Sequence, residues 1–201
     1  MSSEFERIKR LPPYVFSEVN SLKAQLRSDG KDIIDFGMGN PDMPTPEHIR
    51  KKLQETVDKP GTGRYSSSKG IPGLRKAQSK YYQRRFNVTL DPENEIIVTL
   101  GSKEGLANLA QAITSPGDII LTPNTSYPIH PYGFIIAGAS LRHLPAMEDG
   151  IFNQELFLEK LDSSIRHSVP SPKAILVSFP SNPTAQIVDL GFYEEVVKIG
   201  L

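Results

Sequence analysis

The run IIVTLGSKEGLANL, residues 96–109, passes from apolar, β-branched residues through Gly101-Ser102 straight into a helical pattern. The unsatisfied N–H groups of a helix's first turn, with the helix dipole behind them, attract anions. The junction is therefore a candidate phosphate seat. Gly101 permits a tight turn, Ser102 adds a hydroxyl donor, and Lys103 adds a positive charge. The run matches neither the Walker A pattern nor the dinucleotide glycine fingerprint. Taken alone, it also reads as an ordinary strand-to-helix turn.

Four further clusters carry polar groups of use to a ligand. FPSNPTAQ, residues 179–186, follows the apolar run AILVSF, and ligands of open α/β sheets sit beyond strand carboxyl ends. Asn182 offers a neutral donor there, or else caps a proline-rich turn. PNTSYP, residues 123–128, also follows a strand-like run, and Tyr127 either stacks on a planar ring or packs into the core. Tyr65 stands in the polar loop YSSSKG before a helix, a ligand contact or a plain surface loop. In Gly37-Met38-Gly39-Asn40-Pro41-Asp42 the two glycines let backbone approach a carboxylate, or simply shape a turn.

These clusters need a scaffold, and the hydrophobic pattern supplies one. Strands are expected over 32–37, 95–100, 118–121, 140–144 and 174–179, where apolar residues run together between turn signals. Helices are expected over 17–27, from Thr45 as N-cap to about Asp58, and over 70–86, 103–113, 127–137, 155–161 and 191–201. Strands alternating with helices imply a mostly parallel sheet covered on both faces. Residues 1–30 form an arm that contains the extended Leu11-Pro12-Pro13-Tyr14.

Composition narrows the function classes. Lys plus Arg and Asp plus Glu both number 23, so net charge gives no argument for a nucleic-acid partner or an anionic membrane surface. The absence of cysteine excludes disulfides and thiolate metal sites, and no metal is implied. MSSEFERIKRL lacks the apolar stretch of a signal peptide, and no apolar run approaches the roughly 20 residues that span a bilayer. A cytoplasmic location is expected.

In order, the clusters read G-x-G-N-P-D, Y-x-x-x-x-G-x-x-x-L-R, T-x-G-S-K-E-G-L, P-x-x-S-Y-P and S-N-P-T. Together they resemble the pyridoxal-phosphate (PLP) aminotransferases of fold type I, classes I and II, along essentially the whole chain. The resemblance implies an α/β fold: the large domain of that fold type, a three-layer αβα arrangement around a mostly parallel sheet, truncated on its C-terminal side. Residues 1–46 are then an arm and small-domain segment, and 47–201 an incomplete PLP-binding domain.

The resemblance also assigns roles. Ser102 and Lys103 match phosphate-cup positions, Tyr127 the aromatic stacked on the pyridine ring, and Asn182 the donor to the ring's 3′ oxygen. Tyr65 matches the tyrosine that reaches a partner subunit's cofactor phosphate, which implies a homodimer. Gly39 matches a contact to the substrate carboxylate. RIKRLPPYVF, GMGNPD, GSKEGL and FPSNPTAQ, with Ala185 where most relatives have glycine, are similar to bacterial alanine (glutamate–pyruvate) aminotransferases. In that subgroup Tyr14 closes over the substrate; otherwise it is an arm residue packed on the domain. The implied substrates are an amino acid and a 2-oxo acid, with lyase, decarboxylase and non-catalytic relatives as alternatives.

The S-K motif followed by G-x-R that carries the family's Schiff-base lysine does not occur in the chain, and neither do the D-x-x-Y aspartate and the carboxyl-terminal arginine. The helical pattern at the end runs to Gly200-Leu201 with no capping device. These features imply the N-terminal half of an enzyme. The 201 residues alone are expected not to transaminate and to bind PLP poorly. Pyruvate formation from alanine and 2-oxoglutarate by this chain by itself would contradict that expectation.

Overall fold

A computed structural model describes residues 5–37, 39 and 41–201. In chain order the elements are α1 (Glu6–Lys9), α2 (Val15–Ser28), α3 (Glu47–Val57), α4 (Pro72–Phe86), α5 (Ser102–Ile113), β1 (Ile119–Asn124) and α6 (Ile129–Ala137). They continue as β2 (Ser140–Pro145), β3 (Met147–Glu148), β4 (Ile151–Phe152), α7 (Gln154–His167), β5 (Ala174–Ile175) and α8 (Leu190–Gly200). The chain divides into two compact units, Met1–Pro12 with Thr99–Leu201, and Pro13–Val98.

The first unit is built on β1. This strand runs parallel to β2 on one side, from Ile119 opposite Ser140 to Asn124 opposite Pro145, and parallel to β5 on the other. Its residues 119–123 are all buried, as a parallel strand covered on both faces must be. Successive side chains point to opposite faces, and the packing obeys that alternation. Ile119 and Leu121 join Phe157 and Leu161 of α7 and Phe192 and Val196 of α8. Ile120 joins Ala110 of α5 and Phe134 and Ala137 of α6. The result is three layers, helix–sheet–helix, as expected.

Helix termini follow local chemistry. Asn153 caps α7 by accepting from the Leu156 N–H at 3.0 Å, and Asp189 caps α8 by accepting from the Phe192 N–H at 2.9 Å. α6 ends at Gly138 in the left-handed conformation (φ 100°), a usual glycine stop. The short antiparallel pair β3–β4 is fastened by Phe152, whose ring lies 4.9 Å from that of Phe179 and 5.6 Å from that of Phe157.

In the second unit α2, α3 and α4 are amphipathic or polar helices. Arg75 of α4 is buried and bonded on every side. Its guanidinium donates to the Pro92 carbonyl at 2.7 Å, to the Glu93 carboxylate at 2.6 Å and to the Gly70 carbonyl. Among the described residues no helix is long and apolar enough to cross a membrane.

Several expectations are corrected. Residues 32–37 and 95–100 form no paired strand, and Ile97 and Leu100 are 66% and 93% exposed. Apolar β-branched runs report a preference for burial, but a ladder also requires a neighbour, and among the described residues the 95–100 run gains only a lone backbone bond to another segment, from the Val98 N–H to the Lys69 carbonyl at 3.1 Å. The strand expected over 174–179 is confined to Ala174–Ile175, with one further bond from the Leu176 N–H to the Leu121 carbonyl at 2.8 Å. Helix α3 starts at Glu47 with Pro46 as its N-cap and no side-chain cap bond, so Thr45 is not the cap. Helix α7 extends to His167, beyond the expected Leu161.

Phe157 is fully buried between the Phe152 and Phe192 rings and the β1 side chains. Phe157→Ala is expected to cost about 3–5 kcal/mol through lost burial and the cavity left behind. A fall in the urea midpoint at unchanged slope checks it.

Candidate functional site

The carboxyl end of β1 and the turn after β5 bring the polar clusters of the first unit together. β1 ends at Asn124, and the chain continues through Thr125-Ser126-Tyr127 into α6. The segment after β5 runs to Phe179 and then into the Ser181–Gln186 turn. This turn is closed by the Ala185 N–H to the Ser181 carbonyl at 2.7 Å and the Ser181 N–H to the Gln186 carbonyl at 2.8 Å. One recess is lined by Pro123, Tyr127, His130, Ser178, Ser181 and Asn182. Tyr127 and Asn182, 55 positions apart in sequence, thus share a site.

Helix α5 contributes the anion-binding element. Its N-cap, Gly101, has φ 89° and ψ 163°, a backbone region essentially confined to glycine. The space around the missing Cβ is open, so it is the backbone that demands glycine here. No side chain caps the helix. The Glu104 carboxylate instead turns back to accept from the Leu100 N–H at 2.5 Å, and the Thr99 hydroxyl donates to the Gly101 carbonyl at 3.0 Å. Ser102 and Lys103 form the first turn, ahead of the first intrahelical bond from the Gly105 N–H to the Gly101 carbonyl at 3.3 Å. The Lys103 ammonium lies over the Tyr127 ring, 5.3 Å from its centroid. That cation–π contact joins the anion seat to the aromatic platform.

His130 meets Tyr127 edge-on with ring centroids 5.9 Å apart. Partial burial holds its pKa below the usual 6.5, because desolvation disfavours the imidazolium. The Asn182 carboxamide makes no hydrogen bond among the described residues and is exposed. Ala185, three positions on, adopts the left-handed region at φ 55°.

Of the residues expected from sequence, Lys103, Tyr127 and Asn182 gather here, with Ser102 beside Lys103. Tyr65, Gly39 and Tyr14 belong to the Pro13–Val98 unit. Tyr65 is fully exposed in its loop, Gly39 is exposed, and Tyr14 precedes α2 with its ring 5.6 Å from that of Phe16. Met38 and Asn40 of the G-x-G-N-P-D cluster lie outside the described residues. Sequence reasoning missed His130, Ser178 and Gln186. Only Gln186 left a signal, as the polar residue closing the FPSNPTAQ run.

Comparison with known proteins adds independent findings. Residues 31–199 match the family described as aminotransferase class I and II. The chain is 53% identical over 195 residues to the glutamate–pyruvate aminotransferase AlaC of Escherichia coli, covering 97% of this chain and 46% of that protein. It is 39% identical over 192 residues to the LL-diaminopimelate aminotransferase of Aquifex aeolicus, covering 96% of this chain and 48% of that one. Among solved structures, a mutant aspartate aminotransferase of Thermus thermophilus superposes with a TM-score of 0.86 at 27% identity. That superposition covers all of this chain and 50% of the other. The chain spans about half the length of the curated relatives it matches.

The depressed pKa of His130 fixes a pH dependence. Above pH 6.5 the imidazole is neutral both folded and unfolded and contributes no slope. Below 6.5 the unfolded state takes up a proton that the folded state still refuses, so stability falls until the folded pKa is passed. His130→Gln is expected to flatten that part of the stability–pH curve. Equal acid sensitivity of the two proteins in urea titrations would contradict this assignment.

Proposed function

Because the chain belongs to the aminotransferase class I and II family, we propose that the protein transfers an amino group between alanine and 2-oxoglutarate, with pyridoxal phosphate as cofactor. The observation that carries this reading is the convergence of an uncapped helix N-terminus, a cation over an aromatic ring and an amide donor. The donor set fits a planar, phosphorylated, phenol-bearing group. The alanine assignment is supported by the greater identity to the glutamate–pyruvate enzyme, 53% against 39% for the diaminopimelate enzyme. Ala185 in the FPSNPTAQ run points the same way.

Each residue acts through its own chemistry. The Ser102 hydroxyl and the first-turn N–H groups of α5 hold the phosphate, and Lys103 offsets its charge. Tyr127 stacks on the ring and fixes its plane. Asn182 donates to the 3′ oxygen, favouring its ionised form. Gly39 offers its backbone to the substrate carboxylate, and Tyr14 closes over the substrate to exclude water. Tyr65 reaches across a homodimer interface to the other subunit's cofactor phosphate. The bound cofactor supplies the electron sink that lets the amino acid's Cα–H bond break. The Schiff-base lysine would come from the part of the complete protein outside these 201 residues. Residues 1–46 serve the arm and small domain, and 47–201 the cofactor domain. The work is done in the cytoplasm, as a step in amino-acid biosynthesis.

The complete protein carrying this segment, given alanine and 2-oxoglutarate, is expected to form pyruvate and glutamate in equal amounts. Release of ammonia or carbon dioxide in their place assigns a lyase or a decarboxylase. Tyr127→Ala is expected to weaken cofactor binding by roughly 2- to 10-fold, the worth of one aromatic contact. Tyr127→Phe is expected to leave it near the parent value. Dissociation constants from cofactor absorbance read both.

A further inference from the structure

Asn182 has the most exacting position in the proposed site, yet its own side chain is tied to nothing among the described residues. Its placement is inherited from the Ser181–Gln186 turn. That turn is fastened at both ends to the same element. Before it, the Phe179 ring packs on Phe152 at 4.9 Å. After it, the Gln186 carboxamide oxygen accepts from the Phe152 backbone N–H at 3.2 Å, and its NH2 donates to the Gly150 carbonyl at 3.3 Å.

The element that receives these bonds is itself fixed. Phe152 is buried in the aromatic core with Phe157 and Phe192. The next residue, Asn153, caps α7 and donates its N–H to the Ala146 carbonyl at 2.7 Å. Gln186 also closes the turn through its own carbonyl, which accepts from the Ser181 N–H at 2.8 Å. One residue thus holds the turn's shape with its backbone and the turn's location with its side chain.

We propose that Gln186 is a positioning residue for Asn182: its carboxamide clamps the 181–186 turn to the β3–β4 hairpin and so sets where the Asn182 donor lies. The inference rests on the reading of Asn182 as donor to the cofactor's 3′ oxygen. Gln186 lies one step removed from the cofactor, because it works through the turn. A side chain that holds a donor within a fraction of an ångström has a measurable effect, since misplacement by about 1 Å can cost on the order of 10²-fold in rate.

The test is a double-mutant cycle in the complete protein, read by the pH midpoint at which the bound cofactor's visible absorption band changes. Loss of a donor to the 3′ oxygen makes that oxygen more basic, so Asn182→Ala is expected to move the midpoint upward. Gln186→Ala is expected to move it the same way by a smaller amount and to add nothing in the Asn182→Ala background, as residues acting in series do. Cofactor-free protein gives a second readout, in which amide exchange at Phe152 accelerates in Gln186→Ala. In Gln186→Glu a carboxylate oxygen still accepts from the Phe152 N–H, so protection there persists. The bond to Gly150 is lost, and a partial midpoint shift is expected. If Gln186→Ala does not fold, Gln186→Glu carries the same comparison.

A midpoint unmoved by either Gln186 variant while Asn182→Ala moves it overturns the proposal. Additive shifts overturn it too, because Gln186 would then act elsewhere. A midpoint unmoved by Asn182→Ala itself overturns the underlying reading of Asn182, a result distinct from failure at Gln186 alone.

Discussion

Burial of β1 on both faces is the constraint on which the rest of the first unit depends. A strand with five consecutive buried residues has no solvent side, so helices cover both faces, and its neighbours β2 and β5 both run parallel to it. Those crossovers place every helix start of the βα type at the strands' carboxyl ends. The polar groups of Tyr127 and Asn182 share a recess for that reason, although no local signal links positions so far apart. The alternation of Ile119, Ile120 and Leu121 between two cores shows the same constraint at the level of single side chains.

Local chemistry then refines what topology places. Gly101 frees the start of α5 from a side-chain cap and accepts a backbone that other residues resist. Lys103, although exposed, lies over Tyr127, so the positive charge is held beside the aromatic face. His130 edges the same ring, and its partial burial lowers its pKa. A phosphate-bearing aromatic ligand needs these properties side by side: an electropositive end, a flat apolar face and a directed donor.

The sequence carried the layers and most element positions because helical and strand periodicities are local. The Gly101-Ser102 junction and the helix behind it, and the strand leading to Tyr127, were legible for that reason. The failures at 32–37 and 95–100 have one cause. Ile97 and Leu100 sit in a run whose composition is that of a strand, but pairing depends on another segment, and composition does not contain it. The β3–β4 pair was invisible for the opposite reason, since two residues per strand give no pattern to detect. Gln186 could be read only as a polar turn residue, because its two partners, Gly150 and Phe152, lie more than thirty positions away.

The run EIIVTL, which joins no strand ladder among the described residues, has a further consequence, in protein homeostasis. A six-residue stretch rich in Ile, Val and Thr, with one charge and no proline, has the composition of segments that stack into intermolecular sheets. Ile97 and Leu100 are open to solvent, while the N–H groups of Glu95, Val98 and Leu100 are already bonded within the chain, so only the remaining peptide groups can accept a neighbouring strand. During synthesis this stretch leaves the ribosome well before the residues of α5–α8 have packed. In the interval, molecular chaperones and self-association compete for the same few peptide groups. The yield of native protein is then expected to depend on nascent-chain concentration as well as on the stability of the folded state.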